Sequence, residues 1–382
     1  MAVDLQISPS VARWACAGHF ALAGTAFGSV TARMPALKFQ MGLDELALGQ
    51  ALLALGLGAL TAFPLTGFLV SRLGSRRVAT GGAIAALIFL AVLGASQEWW
   101  QFALMLYLFG FGGGMLDVAM NTQGVEIEEV LGRPCMSSLH AMFSAGGLLG
   151  AALASLLTGL TPLLHFALLA ALLSLTLLPI HRRLLRLPPG RRAAKAKFQW
   201  PAKPVLWLGG LALCAFVAEG AIADWGAVFM TSNQGASERT AALAYAAFSA
   251  TMVGGRLFGD KLRGRYADQT LLRFAGALAA CGWLLAILAP TPAWSIAGFA
   301  LVGIGLSVIV PVLFSAAGKL MPGQPQAAVA TVATFGYGGL LLGPPLIGML
   351  AHIISLHWAL LIIVALSAVL SWQARRVTPS AS

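Results

Sequence analysis

Charged side chains are scarce in this sequence of 382 residues. Asp, Glu, Lys and Arg together make up 10% of the chain, whereas 59% of the residues are apolar. Soluble domains carry roughly a quarter charged residues, so a soluble globular protein is excluded. The mean hydropathy of +0.85 points instead to a polytopic membrane protein.

Motifs for ATP hydrolysis and for enzyme catalysis are missing. The sequence has no GxxxxGK[ST] loop, which excludes ATP as the energy source, and no HExxH pair or GxSxG elbow. The four cysteines form no CxxC motif and no metal-ligand spacing, so we expect free thiols without a structural disulfide. The sequence therefore predicts a protein that is not an enzyme and that needs no cofactor and no metal.

Twelve apolar runs are each long enough to cross the hydrocarbon core as an α-helix, which takes about 20 residues. Alternating-strand patterns are absent, and backbone polar groups in lipid must be satisfied internally, so helices are predicted throughout. We expect the first run to be a retained helix rather than a cleaved signal peptide. The predicted spans are 13–34, 46–70, 78–96, 101–125, 137–158, 163–181, 204–230, 240–262, 271–289, 294–316, 328–351 and 357–374.

The basic residues predict the orientation of these spans. If both termini are cytoplasmic, 20 of the 24 Lys and Arg residues lie on the cytoplasmic side, and only Arg33, Lys38 and Arg239 lie outside. Arg256 lies within the eighth span. Because cytoplasmic loops are enriched in Lys and Arg, this bias predicts cytoplasmic termini. We interpret the net charge of +11 as topology and contact with anionic lipid, not as a nucleic-acid site.

Two similar halves are predicted from a basic interruption and an internal repeat. Residues 182–203 carry eight basic residues and no acid near the middle of the chain. Segment 67–74 is similar to 260–267, and 146–150 is similar to 338–343, at nearly the same offset of about half the chain. The sequence therefore predicts six-helix bundles at 1–181 and 204–382, joined by a cytoplasmic linker at 182–203 and related by a parallel repeat.

The segment 67–77, with sequence GFLVSRLGSRR, resembles the cytoplasmic loop signature of the major facilitator superfamily. The resemblance implies an all-α integral membrane fold of two pseudo-symmetric six-helix bundles, and gating roles for Arg72 and Arg76. The superfamily's usual acidic residue, which supports a charge relay in the outward-open state, is replaced by Ser71 here and by Gly264 in the second half. Asp260 can partly substitute by pairing with Arg256, or can merely neutralise it.

Two further segments resemble a subgroup of that superfamily. Residues 113–124 and 138–147 are similar to helices 4 and 5 of the fucose–proton symporter relatives, and closer still to the rhizopine-locus membrane carriers. Residues 33–35 and 219–225 fit the same subgroup. The resemblance implies a bacterial inner-membrane carrier, expected to be a monomer, that binds its solute between helices 1, 4, 5, 7 and 10.

Charged or titratable side chains inside spans are candidate functional residues, because a charge at mid-membrane costs about 2.5–3.5 kcal/mol on insertion scales. Asp117 and Asn121 share a helix face and can bind hydroxyl groups or carry a proton, or can bond neighbouring helices. His140 can take part in coupling or form an interhelical hydrogen bond, and its depth allows contact with Asp117. His19 lies on the first span, on an unassigned face.

The seventh span carries the second group of candidates. Glu219 is predicted a little beyond the midplane, where a carboxyl can bind solute or a proton. Asp224 lies further out, either as a ligand or in contact with water, and Trp225 offers a stacking face for sugar rings. Arg33, at the outer end of the first span, pairs with Asp224 as an outer gate or extends to the interface.

Three functions remain open from the sequence. The first is proton-coupled uptake of a small polar solute such as a sugar, a polyol or an inositol-like compound. The second is a proton-antiporting exporter of metabolites or drugs, which uses the same acids in the opposite sense. The third is a membrane receptor or scaffold without transport activity.

Overall fold

The computed structural model describes residues 7–133, 135–186, 203–320 and 325–377, with only the backbone described at 137, 260, 325–327 and 376. Most of the predicted linker therefore lies outside the described residues. The N-terminal helices are α1 (Pro9–Ala32), α2 (Met34–Gln40), α3 (Glu45–Leu73), α4 (Ser75–Leu93), α5 (Trp99–Leu131), α6 (Met136–Leu156) and α7 (Pro162–Arg183).

The C-terminal helices include two interruptions of α-helical geometry. A π-helical turn, Ile222–Gly226, lies between the first and second of these helices, and a 3₁₀ turn, Ala374–Arg376, follows the last. The helices are α8 (Lys203–Ala221), α9 (Ala227–Ser232), α10 (Glu238–Arg263), α11 (Asp268–Leu288), α12 (Pro292–Leu306), α13 (Ile309–Leu320), α14 (Pro325–Ile354), α15 (Leu356–Ala359) and α16 (Leu361–Gln373).

Eleven helical segments within the described ranges are long and apolar enough to cross a membrane. The predicted first span is occupied by α1, which has 24 residues but is more polar because it carries Arg13, His19, Thr25 and Ser29. The predicted seventh, tenth and twelfth spans each consist of two consecutive helices with a local break. The predicted all-α, multi-pass membrane fold is confirmed.

The chain forms two compact units, one made of Met1–Leu43 with Gln50–Ala194 and the other of Asp44–Gly49 with Lys195–Ser382. Within the N-terminal unit, α1 packs on α6, and α4 packs on α5 and α7. Within the C-terminal unit, α8 packs on α14, and α11 packs on α12 and α16. The helices of the two units therefore pair in the same order.

Glycines bring α1 and α6 into backbone contact. Gly24 and Gly28 on α1 face the backbone of α6, and a Cβ atom at Gly28 would lie 2.8 Å from the Cα atom of Gly147. Gly146 and Gly150 on α6 face the backbone of α1 in the same way. Lipid tails are as apolar as the helices, so close van der Waals packing of this kind is what associates them.

We predict that Gly28→Ala destabilises the protein, because the added methyl group must push α1 away from α6. The expected cost is about 1–3 kcal/mol, typical of overpacking. Gly67→Ala on α3 is the control, because nothing lies within 4 Å of its added Cβ. Thermal unfolding of the purified proteins in detergent measures both. A Gly28→Ala protein as stable as the Gly67→Ala protein would contradict the close approach.

Candidate functional site

Asp117, Asn121 and His140 form a hydrogen-bonded cluster in the N-terminal unit. Asp117 and Asn121 lie one turn apart on α5, and Asn121 Nδ2 donates to Asp117 Oδ1 at 3.1 Å and to the Asp117 carbonyl at 2.9 Å. His140 Nε2 on α6 lies 3.1 Å from Asn121 Oδ1. Asn121 therefore links the two titratable side chains that the sequence places at similar depth.

Hydrogen-bonding rules orient this cluster. A carboxylate only accepts, so Asp117 fixes the Asn121 amide with its nitrogen towards the acid and its oxygen towards His140. The amide oxygen also only accepts, so His140 must carry a proton on Nε2. Phe20 of α1 packs edge-on against the His140 ring, with centroids 5.1 Å apart. Asp117 and Asn121 are half-buried and His140 is exposed, so the cluster can meet a polar solute.

Arg33 is buried inside the N-terminal unit. Its side chain is 2% exposed, and Nη2 donates to the carbonyl of Leu160 at 2.7 Å. The alternative that Arg33 extends to the membrane interface is therefore wrong, because its guanidinium is enclosed by protein. The bond to Leu160 joins the end of α1 to the loop before α7.

His19 and His165 are two fully buried imidazoles of the N-terminal unit. Neither ring nitrogen of His19 makes a hydrogen bond of ordinary geometry within the described residues. His165 Nε2 lies 3.1 Å from Ser29 Oγ of α1. Sequence reasoning missed His165, although a histidine within the predicted sixth span is the same signal that selected His19.

In the C-terminal unit, Glu219 of α8 and Arg256 of α10 form an ion pair. Glu219 Oε1 and Arg256 Nη2 are 3.8 Å apart, and the side chains are 29% and 15% exposed. Arg256 thus has an acidic partner on a neighbouring helix, which sequence spacing alone did not indicate. The Asp260 side chain, the predicted partner, lies outside the described residues.

Tyr245 is a further polar residue near the Glu219–Arg256 ion pair, and sequence reasoning missed it. It is buried on α10, is hydrogen-bonded to Ser249, and lies within electrostatic range of Glu219, Asp224 and Arg256. A tyrosine carries no formal charge, so the search for charges within spans passed over it. The available signal was the spacing of Tyr245 and Ser249, which are four residues apart and therefore lie on one face of the helix.

Asp224 and Trp225 lie in the π-helical turn that follows α8. Turns of this kind occur frequently at functional sites. Asp224 is 8% exposed and Trp225 is fully buried, so the alternative of Asp224 as a water-contacting outer residue is wrong. The Trp225 ring packs against α14 near Gly348. Because protein covers its faces, Trp225 offers no stacking platform for a sugar ring in this structure.

The predicted gating arginines have local partners. The Arg72 guanidinium lies over the Phe68 ring, 4.3 Å from its centroid. Ser71, which stands where the loop signature has an acid, donates from Oγ to the carbonyl of Phe68 at 2.7 Å. Arg76 Nε donates to the carbonyl of His181 at 2.8 Å and so ties α4 to α7. The Ser71 bond is made within its own helix, where it cannot replace an interhelical charge relay.

Sequence comparison identifies the family. The Major Facilitator Superfamily profile matches residues 16–339 and 227–381. The chain belongs to this superfamily. It is therefore a secondary transporter rather than an enzyme, as predicted.

Curated relatives that the chain resembles come from bacteria. An uncharacterised MFS-type transporter of Yersinia pestis is 36% identical over 361 residues, covering 94% of both chains. The uncharacterised transporter y4wD of Sinorhizobium fredii is 38% identical over 342 residues, covering 88% of this chain and 90% of its own. The membrane protein MosC of Rhizobium meliloti is 29% identical over 362 residues, 94% of this chain and 88% of its own. The predicted resemblance to the rhizopine-locus membrane carriers is confirmed.

Solved structures of two transporters share the fold. A point mutant of the nucleoside transporter NupG superposes with a TM-score of 0.78 at 16% identity, covering 96% of this chain and 99% of its own. A bacterial homolog of the human lysosomal transporter Spinster, inward-facing and unoccupied, gives 0.72 at 14% identity, covering 97% of both chains. Identities this low establish the fold alone.

We predict that Trp225 acts through packing. Trp225→Ala should cost about 3–5 kcal/mol, as for other buried aromatic truncations. Trp225→Phe should cost much less, because the indole nitrogen has no hydrogen-bond partner among the described residues. Thermal unfolding measures both, with Trp294→Ala as the control because Trp294 is 55% exposed. Equal melting temperatures for Trp225→Ala and Trp294→Ala would contradict the packing role.

Proposed function

We propose that this transporter moves a small polar, polyhydroxylated solute, such as a sugar, a polyol or an inositol-like compound, by proton-coupled symport with alternating access. We place it as a monomer in the inner membrane of a bacterium, with both termini in the cytoplasm. The proposal is carried by one observation, the Glu219–Arg256 ion pair within the membrane-spanning helices of the C-terminal unit.

The ion pair supplies a physical route to coupling. Protonation of Glu219 removes one of the charges that compensate Arg256 inside the membrane, where a charge is costly. Arg256 then gains affinity for another acceptor, and the hydroxyl oxygens of a solute can provide it. Proton uptake and solute binding therefore favour each other, which is the thermodynamic requirement of symport.

The Asp117–Asn121–His140 cluster supplies the chemistry for a hydroxylated solute. The carboxylate of Asp117 accepts hydrogen bonds, and hydrogen bonds to a charged group are roughly twice as strong as neutral ones. The imidazole of His140 can donate or accept according to its protonation. A vicinal diol, which both donates and accepts, matches an acid and an imidazole bridged by one amide.

We predict that Glu219→Gln and Asp117→Asn, made singly, abolish gradient-driven accumulation. Each variant keeps the size of the side chain but cannot gain and lose a proton, so exchange across the membrane should continue at a measurable rate. Glu129→Gln is the matched control, because Glu129 is an exposed acid on α5 outside the cluster. Uptake and counterflow in proteoliposomes measure both activities. Normal solute accumulation by both Glu219→Gln and Asp117→Asn would rule out these two acids as the coupling residues.

We predict that adding solute outside proteoliposomes alkalinises the exterior, because protons enter with it. A thermal-shift screen of sugars, polyols and amino acids first identifies the solute, since a ligand that binds the folded state raises its melting temperature. A pH-sensitive dye then reports proton movement. If an inward proton gradient drives solute out, the protein is an antiporter. If no compound binds or moves, the receptor or scaffold alternative stands.

A further inference from the structure

A strongly basic pocket lies at the start of α4 in the N-terminal unit. Its volume is about 420 Å³, and its lining includes Arg76, Arg77, Arg186 and His181. We call it the basic pocket. Gly74, also in its wall, adopts φ +82°, a conformation that favours glycine, and so turns the chain sharply between α3 and α4. The proposed transport chemistry does not use this pocket.

An apolar groove adjoins the basic pocket on the outside of the same unit. The groove has a volume of about 630 Å³ and lies between α4 and α7, where Ile84, Ile88, Ala171 and Leu178 form part of its wall. His181 lines both cavities. Ile84, Ile88 and Leu178 are 46%, 56% and 57% exposed, so the groove opens towards the surroundings of the helices. In a membrane, that surface faces acyl chains.

Hydrogen bonds hold the junction of the two cavities in place. The Arg76 Nε–H group donates to the His181 carbonyl at 2.8 Å. Thr80 Oγ1 donates to the Arg76 carbonyl at 3.1 Å and lies 2.8 Å from His181 Nδ1. The Thr80 hydroxyl has one hydrogen, so it must accept from Nδ1, which therefore carries a proton. Arg76 and His181 are thus fixed at the point where the polar and apolar surfaces meet.

The charge of the basic pocket favours an anion. Three arginines line it, and the nearby acid, Glu126, accepts from Ser75 Oγ at 2.6 Å and from Gln123 Nε2 at 3.1 Å. Helix α4 has no acidic residue in its first turn and no side-chain cap, so its amide groups add positive potential there. In the part of the chain that the structure describes, three guanidinium groups line the pocket and the Glu126 carboxylate lies beside it, which leaves the pocket cationic.

We propose that the basic pocket and the apolar groove together bind an anionic phospholipid. The phosphodiester would lie among Arg76, Arg77 and Arg186, and one acyl chain would follow the groove along α7. Basic pockets between membrane helices are known to receive anionic head groups. A free phosphate would use the pocket but not the groove, and a neutral lipid would use the groove without gaining from the arginines.

The test compares three ligands on the purified, delipidated full-length protein. Dioleoyl phosphatidylglycerol, dioleoyl phosphatidylcholine and inorganic phosphate are titrated, with binding counted by native mass spectrometry and stability followed by thermal unfolding. We expect phosphatidylglycerol to bind and to raise the melting temperature, and the other two to do so far more weakly. Equal effects of the two lipids, or an equal effect of phosphate, would overturn the proposal.

Matched variants then locate the site. The double variant Arg77→Gln/Arg186→Gln should weaken phosphatidylglycerol binding about thirtyfold, which is about 2 kcal/mol at about 1 kcal/mol per basic residue. The control Arg182→Gln/Arg183→Gln removes the same charge from exposed positions at the same end of α7, outside the pocket lining. Equal loss in both double variants would mean non-specific attraction and would overturn the proposal.

The groove has its own pair of variants. Ala171→Trp should fill the groove and weaken lipid binding, whereas Leu175→Trp, at a 75% exposed position of α7 outside the groove lining, should not. Each variant's melting temperature without lipid shows that it is folded. Unchanged lipid binding in Ala171→Trp would exclude an acyl chain from the groove.

Discussion

A charge within the hydrocarbon core must be compensated by the protein itself, because lipid tails offer no partner. The described structure meets this constraint in different ways. Arg256 pairs with Glu219 on the neighbouring helix, and Arg33 bonds a backbone carbonyl. Asp117 is held by the amide of Asn121. Two of these arrangements contain a carboxyl group, that of Glu219 or of Asp117, which can bind and release a proton. We assign the proposed proton coupling of transport to these two residues.

Compensation of this kind requires helices that lie close together, and glycine provides the closeness. Gly28 of α1 and Gly146 of α6 let two backbones meet, which brings Phe20 against His140. In the C-terminal unit, Gly339 of α14 approaches the backbone of α8 in a corresponding way. The small residues thus bring α1 against α6, the helix that carries His140, and α14 against α8, the helix that carries Glu219.

The sequence predicted the all-α membrane fold, and it selected candidate site residues by their type alone. Spans follow from apolar length, so the predicted runs match the helices to within a few residues in most cases. Asp117, Asn121 and Glu219 were selected as candidates because charge and amide groups are conspicuous in an apolar run. Tyr245 and His165 were not selected, because their contacts with Ser249 and Ser29, residues of ordinary appearance, are visible only in the structure. Trp225 was taken for a stacking surface because its type is visible in the sequence and its burial is not.

The sequence by itself determined that this chain is a helical multi-pass membrane protein, because hydropathy and length are properties of the chain alone. It also indicated which charges stand inside the membrane. Only the tertiary structure decided their partners: Arg256 with Glu219, Asn121 with His140, and Arg76 with the carbonyl of His181. The reason is physical, since a hydrogen bond depends on distances of about 3 Å between side chains on different helices. Sequence spacing fixes such distances only within one helix.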